Sequence, residues 1–197
     1  MKWKRNIVIS VVITALLSPG CASFRSGNLH PISPWPPQKA AKQKSIRIMV
    51  SGESTFNGKE QKVAFILLKM WSEQVVDAYR DSGLFSEVET GMSDTDLKAE
   101  IKIVDHNERN LGLTFLTGLT LYLIPSRGTD EFIVKTTIKN KDGKTLCMYE
   151  MSEKIASWVQ MFLIFAMPFH YPASVYNETL YDLNRSTIVE LHSKGFL

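Results

Sequence analysis

Four small groups of residues have the types and spacing that chemistry requires. Asp105, His106 and Glu108 stand together in VDHNER and offer three metal-binding side chains. A zinc centre would need a further histidine or cysteine at ligand spacing, and none follows, so a polar strand end is the better reading. Ser51 and Ser54 lie in SGES, which lacks the GxSxG turn of a nucleophile elbow. Cys147 with His30, His106, His170 or His192 would make a thiol–imidazole dyad, but no local signature supports one. Gly52 and Gly58 flank a predicted helix start without the glycine pattern that cradles phosphate. No catalytic residue, metal ligand or cofactor is therefore assigned, and the chain reads as a non-enzymatic protein.

The remaining reactive side chain is Cys21, and its setting explains it. Lys2, Lys4 and Arg5 precede an apolar run of eleven residues, Ile7 to Leu17. A membrane span needs roughly 20 apolar residues, so residues 1 to 20 read as an export signal rather than a transmembrane helix. The hexapeptide SPGCAS, with Gly20 directly before Cys21, resembles the lipobox of bacterial lipoproteins over the first two dozen residues. Ser18 stands where that pattern usually has Leu, and Leu17 lies one place further back. The resemblance implies cleavage before Cys21, a diacylglycerol on its thiol and a palmitate-type acyl chain on the new amino terminus. Ala22 after the cysteine implies, by resemblance to enterobacterial sorting, the periplasmic side of the outer membrane. Ordinary cleavage near Ala22, giving a soluble product, is the alternative.

The chain has two cysteines. A lipidated Cys21 leaves Cys147 as a lone thiol packed in a strand, whereas a free Cys21 would allow a Cys21–Cys147 disulfide in an oxidising compartment. Removing the signal also changes the charge: three of the 23 basic residues lie in it, which leaves 20 against 20 acidic ones. The basic pI of 8.8 belongs largely to the signal, and no basic domain for nucleic acid survives. Lys135, Lys139, Lys141 and Lys144 read as the solvated face and tip of a hairpin.

Residues 21 to 44 hold four of the eight prolines and no periodicity, so they read as a flexible tether. In extended form, at roughly 3.1 Å per residue, it would reach about 70 Å. Residues 45 to 197 are long enough for one domain with its own core. Ser45 to Val50 begins a strand. Asn57, with Glu60 three residues on, is expected to cap a helix whose face carries Ala64, Leu67, Leu68, Trp71, Val75, Ala78 and Tyr79, stopping at Gly83. Leu84 to Thr90 is a second strand. Leu97, Ala99, Ile101 and Ile103 alternate with Lys98, Glu100 and Lys102 in a third. Phe132, Val134, Thr136 and Ile138 mark a fourth, and Asn140 to Gly143 turn the chain into a fifth from Lys144 to about Met151. A last helix from Ser174 presents Leu180, Leu183, Thr187 and Leu191. The expected fold is a two-layer α+β sandwich, two helices on a mostly antiparallel sheet of about five strands.

Two uncharged runs remain, Leu111 to Pro125 and Ile155 to Phe169. Simple hairpin connections deliver both to the end where the first domain strand begins, beside the tether. Three placements compete. The plainest buries them, the first run as an apolar β-hairpin and the second as an internal helix. In the second placement they enter the bilayer surface, with Tyr122, Trp158, His170 and Tyr171 as interfacial side chains. In the third they form a patch for a membrane-protein partner. The contacting residues in either exposed case are Leu113, Phe115, Leu119, Leu121, Tyr122, Trp158, Phe162 and Phe165. The block LTLYLIPSRGTDEFIVKTTIKNKDGKTLCMYE, with LIFAMPFHYP, resembles small envelope lipoproteins of bacteria. In outline the fold is also similar to accessory lipoproteins of envelope machines. The functional expectation is a lipid-anchored accessory or interaction protein of the envelope. A carrier of lipid or another apolar ligand is the alternative, and a hydrolase is a weaker one.

Overall fold

The computed structural model describes residues 20–27, 29, 31–38 and 43–197. Residues 1–19 of the expected export signal, and His30, lie outside the described residues. The elements are strand β1 (Gly20–Arg25), β2 (Lys44–Phe56), β3 (Lys59–Gln61), helix α1 (Phe65–Asp81), β4 (Phe85–Glu89), β5 (Leu97–Arg109), α2 (Leu111–Leu119), β6 (Ser126–Asn140), β7 (Thr145–Gln160), a 3-10 helix (Met161–Phe165) and α3 (Pro172–Ser193). The protein is an α+β sandwich, with seven strands and three helices among the described residues instead of about five and two.

The sheet runs β1-β7-β6-β5-β2-β3, with β4 beside β3 on the free edge of β2. Its pairings are antiparallel except β2 with β4 and β2 with β5. Alternation builds the core. Ile46 and Ile48 of β2, Leu97, Ala99, Ile101 and Ile103 of β5, and Phe132, Val134 and Ile138 of β6 face the helices and are buried. From α1 they meet Trp71, Val75, Ala78 and Tyr79, spaced on one face, and from α3 Leu180, Leu183, Thr187, Ile188 and Leu191. Phe132 joins the layers, edge-on to Trp71 at 6.0 Å and to Tyr176 at 5.6 Å. The other face is wet and charged: Lys102 pairs with Glu53, Lys135 with Glu150, Lys139 with Glu100 and Lys154 with Glu131.

Several local expectations are corrected. Asn57 is not a helix cap; with Gly58 it forms a two-residue hairpin turn, φ 48° and 76°, because Asn-Gly adopts positive φ cheaply and Glu60 belongs to β3. The helix starts eight residues later, at Phe65. The segment expected as a tether is docked over much of its length. β1 pairs with β7, and Arg25 binds Asp182 at 2.6 Å. The fully buried carboxylate of Glu153 accepts from the backbone N–H of Ser26, Leu29 and Lys154 and from the Ser26 hydroxyl. A buried carboxylate must collect donors, and here the chain after β1 supplies three of the four. Trp35 packs on the core, with Arg185 over its ring at 5.7 Å.

The ends of the sheet also differ from expectation. Because β5 runs parallel to β2, it delivers the first apolar run to the end opposite the start of β2. β7, antiparallel to β6, delivers the second run to that same far end. Cys21 arrives there too, since β1 runs antiparallel to β7 and sets Cys21 opposite Val159. The two runs and Cys21 therefore do share one end, reached by a different route. Cys147 sits opposite Ile138, near the other end of β7. Twelve residue steps along the strand separate it from Val159, about 40 Å at roughly 3.3 Å each, far beyond disulfide reach. Both cysteines are free.

Candidate functional site

Where the apolar rungs of the sheet stop, the same alternation carries polar side chains inward. On β5 the helix-facing series continues as Asp105, Asn107 and Arg109; on β6 it continues as Asp130, Gly128 and Ser126. The register lines up Arg109, Gly128, Ser157 and Ser23 in one cross-strand row and Asn107, Asp130, Ile155 and Arg25 in the next. The start of α3 lowers Tyr176 onto these rows.

Asp130 is the hub, 0% exposed. Arg109 Nη2 donates to both of its oxygens, at 2.8 and 3.1 Å, while Tyr176 and Asn107 donate to one each. Ser157 links Tyr176, at 3.3 Å, to Ser23, at 2.7 Å. Burial, the largest single influence, works against the Arg109 charge, but the bond and charge of Asp130, joined by Tyr176, together outweigh it and raise the guanidinium pKa. Burial, and then the Asp130 bond, raise that of Tyr176. Neighbouring Asp105 is pushed up to about 7, first by burial and then by the Asp130 charge, with Arg109 pulling the other way.

Gly128 makes the arrangement possible. A Cβ there would collide with Arg109 Cδ, Nε and Cζ, so the guanidinium reaches Asp130 by crossing bare backbone. Gly128→Ala is expected to displace Arg109 and cost about 1–3 kcal/mol in urea unfolding. The same change in an Arg109→Ala background should cost much less, because the two act on one contact.

Over this polar layer lie the apolar runs. α2 is capped by Asn110, whose Oδ1 accepts from Leu113 N at 2.9 Å. The turn after it holds Leu121 and Tyr122 at φ 50° and 64°, unusual for bulky residues. It is fixed by Tyr122 N to Thr117 O at 2.8 Å, and Tyr122 O accepts from Met161 N at 3.0 Å, which joins the two runs. Burial as a β-hairpin and an internal helix is overturned. The first run is a helix and turn with Phe115 69% exposed and Leu119 and Leu121 also exposed. The second continues β7 to Gln160 and then forms the 3-10 helix with Phe162 and Phe165 exposed. Leu113, Tyr122 and Trp158 are half-buried, and Arg127 stands 5.5 Å over the Trp158 ring. A groove of about 430 Å³ opens between α2, the start of α3 and the strands, lined by Cys21, Leu111, Val159, Pro172, Tyr176 and Arg109 among others. Burial raises the Cys21 thiol pKa, against the pull of Arg109.

The other sequence candidates do not converge. Strand alternation puts Asp105 on the helix face and His106 and Glu108 on the wet one, and no metal-binding group of three forms among the described residues. His106 bonds Thr55 at 2.9 Å, and His170 lies 4.5 Å from the Phe24 ring. Arg109, Asn107, Asp130, Ser157 and Tyr176 were not anticipated. Extending the β6 alternation one rung outward from Phe132 puts Asp130 at an inward position, and that was the signal available.

Fold and site together define an α+β domain with one apolar-lipped end above a buried ionic layer. No known family matches the chain, and no curated protein does. Among solved structures it is similar to the crystal structure of protein XCC0632 from Xanthomonas campestris, a DUF330 protein. The identity is 13%, the match covers 87% of this chain and 94% of that one, and the TM-score is 0.44.

Proposed function

We propose that the protein is a non-enzymatic accessory lipoprotein of the bacterial envelope, anchored through Cys21 on the periplasmic side of the outer membrane. The observation that carries this reading is the place of Cys21. It stands at the start of an edge strand, at the end of the sheet shared by both apolar runs. A lipid there would leave the domain directly, without a long tether. Acyl chains contribute about 0.8 kcal/mol per buried methylene, so two or three hold firmly. A structural role for the polar layer is supported by Asp130, whose donors Arg109, Tyr176 and Asn107 are all neighbours in the same layer.

The expected result is that mass spectrometry of the mature protein finds Cys21 as an acylated first residue. Cys21→Ala is then expected to remove the protein from the outer-membrane fraction. An unmodified Cys21 would sink the proposal. The carrier reading keeps one specific support, the groove beside Cys21, which has the size of a small-ligand site. Lipid co-purifying one-to-one with protein lacking its own lipid would favour it.

A further inference from the structure

We infer that the end of the sheet bearing α2 and the 3-10 helix enters the interface of a lipid bilayer, as a second membrane contact beside Cys21; this rests on the lipid-anchored reading above. Three observations carry it. The first is the charge pattern: no Asp, Glu, Lys or Arg occurs from Asn110 to Ser126 or from Ile155 to Asn177. The charges resume with Arg109 and Arg127, which flank the first run in sequence; Arg109 is held by Asp130 in the layer beneath, and Arg127 is exposed at the rim. Arg127 over Trp158 and the exposed Tyr171 give that rim the basic and amphipathic aromatic side chains suited to headgroup level.

The second is exposure. Leu111, Phe115, Leu119, Leu121, Phe162 and Phe165 all project into solvent from one end of the molecule. A contiguous apolar surface of this kind marks a contact with a partner or a membrane.

The third separates those two. The threonine hydroxyls and the turn N–H groups of the first run are satisfied within it. Thr114, Thr117 and Thr120 each return their hydroxyl to the carbonyl four residues back, at 2.9, 2.8 and 3.0 Å. Beyond the helix, the N–H groups of Leu121, Tyr122 and Leu123 reach Gly118, Thr117 and Thr120 carbonyls, and that of Ile124 reaches the Thr120 hydroxyl. A protein partner is normally met with hydrogen bonds across the interface, whereas hydrocarbon requires that every such group be satisfied internally. No described helix is long and apolar enough to cross a membrane, so the contact is a shallow, end-on one.

The test uses the lipidated protein in vesicles of phosphatidylethanolamine and phosphatidylglycerol, with Cys147→Ala and an environment-sensitive dye on a single new cysteine. Leu119→Cys and Phe165→Cys are expected to give a blue shift and at least a twofold rise in emission. Met92→Cys, exposed in the loop near the opposite end of the sheet, should give neither. Adding Phe115→Asp to the Leu119→Cys protein should abolish its signal while it still floats with the vesicles, and circular dichroism should be unchanged because Phe115 is exposed. A protein that floats but shows water-like dye at 119 and 165 overturns insertion and assigns the surface to a protein partner. If Cys21 proves unmodified, Cys21→Ala is added so that the dye again sits on one new cysteine, and this protein is mixed with the same vesicles: a blue shift on mixing sustains the inference without the anchor, and no shift overturns it.

Discussion

Arg109→Ala is expected to destabilise the protein by about 3–5 kcal/mol, the usual cost of stripping one partner from a buried ion pair. Asp130 has no exposed surface, and Arg109, at 2.8 Å, is its one cationic partner among the described residues. Without it the carboxylate keeps only the Tyr176 and Asn107 donors. The asymmetry between the partners sharpens the test. Arg109 keeps a quarter of its side chain exposed, so removing Asp130 lets the guanidinium turn to water. Asp130→Asn, which retains an acceptor for Tyr176, should therefore cost less than Arg109→Ala. Combining the two should recover much of the loss, with a coupling energy of about 1–3 kcal/mol in a double-mutant cycle. A cost for Arg109→Ala below about 1 kcal/mol, typical of exposed pairs, would show that the layer is not sealed.

The purpose of that layer follows from what surrounds it. α2 and the 3-10 helix bury little of their own surface, so they depend on the strands and on the start of α3 for their position. Tyr176 ties α3 to β6 through Asp130, and Ser157 and Ser23 extend the same chain of hydrogen bonds to β1, two residues from Cys21. The polar rows thus fix the apolar end, and with it the direction in which an anchor at Cys21 would leave.

How much of this was legible depends on how local each signal is. The alternation from Leu97 to Ile103, the turn at Asn140 to Gly143 and the face of Leu180, Leu183, Thr187 and Leu191 are local, and they appear as expected. β1 is not local. GCASFR has no strand pattern of its own and is ordered by β7, whose register lies 130 to 140 residues away. The parallel pairing of β2 with β5 is equally non-local, so the end at which the runs emerge could not be read from hairpins alone. In LGLTFLTGLTLYLIP, apolar residues at every second position suit a hairpin. The helix is supported instead by the Asn110 cap and the threonine back-bonds. Asp130 was hidden for another reason: its inward position becomes meaningful only once Arg109 and Tyr176 converge on it.

Asp105→Asn is expected to stabilise the protein by about 2–4 kcal/mol at pH 8 and by little at pH 4. Asp105 lies on the helix face between the apolar rungs and the ionic layer, and one of its oxygens is buried without a hydrogen-bond partner. Burial, followed by the Asp130 charge, holds its proton until about pH 7, against a usual value of 3.8. Between those values the folded state binds a proton that the unfolded chain has released, so the wild-type stability conferred by this group falls as pH rises. Below pH 4 both states are protonated and the group is neutral in effect; above 7 both are ionised and the full penalty is present. Asparagine carries no charge at any of these values, so the difference between variant and wild type should open between pH 4 and 7 and then level off. Urea unfolding of both proteins at pH 4, 5.5, 7 and 8 measures it, and a difference independent of pH would place Asp105 in contact with water rather than beneath the apolar end.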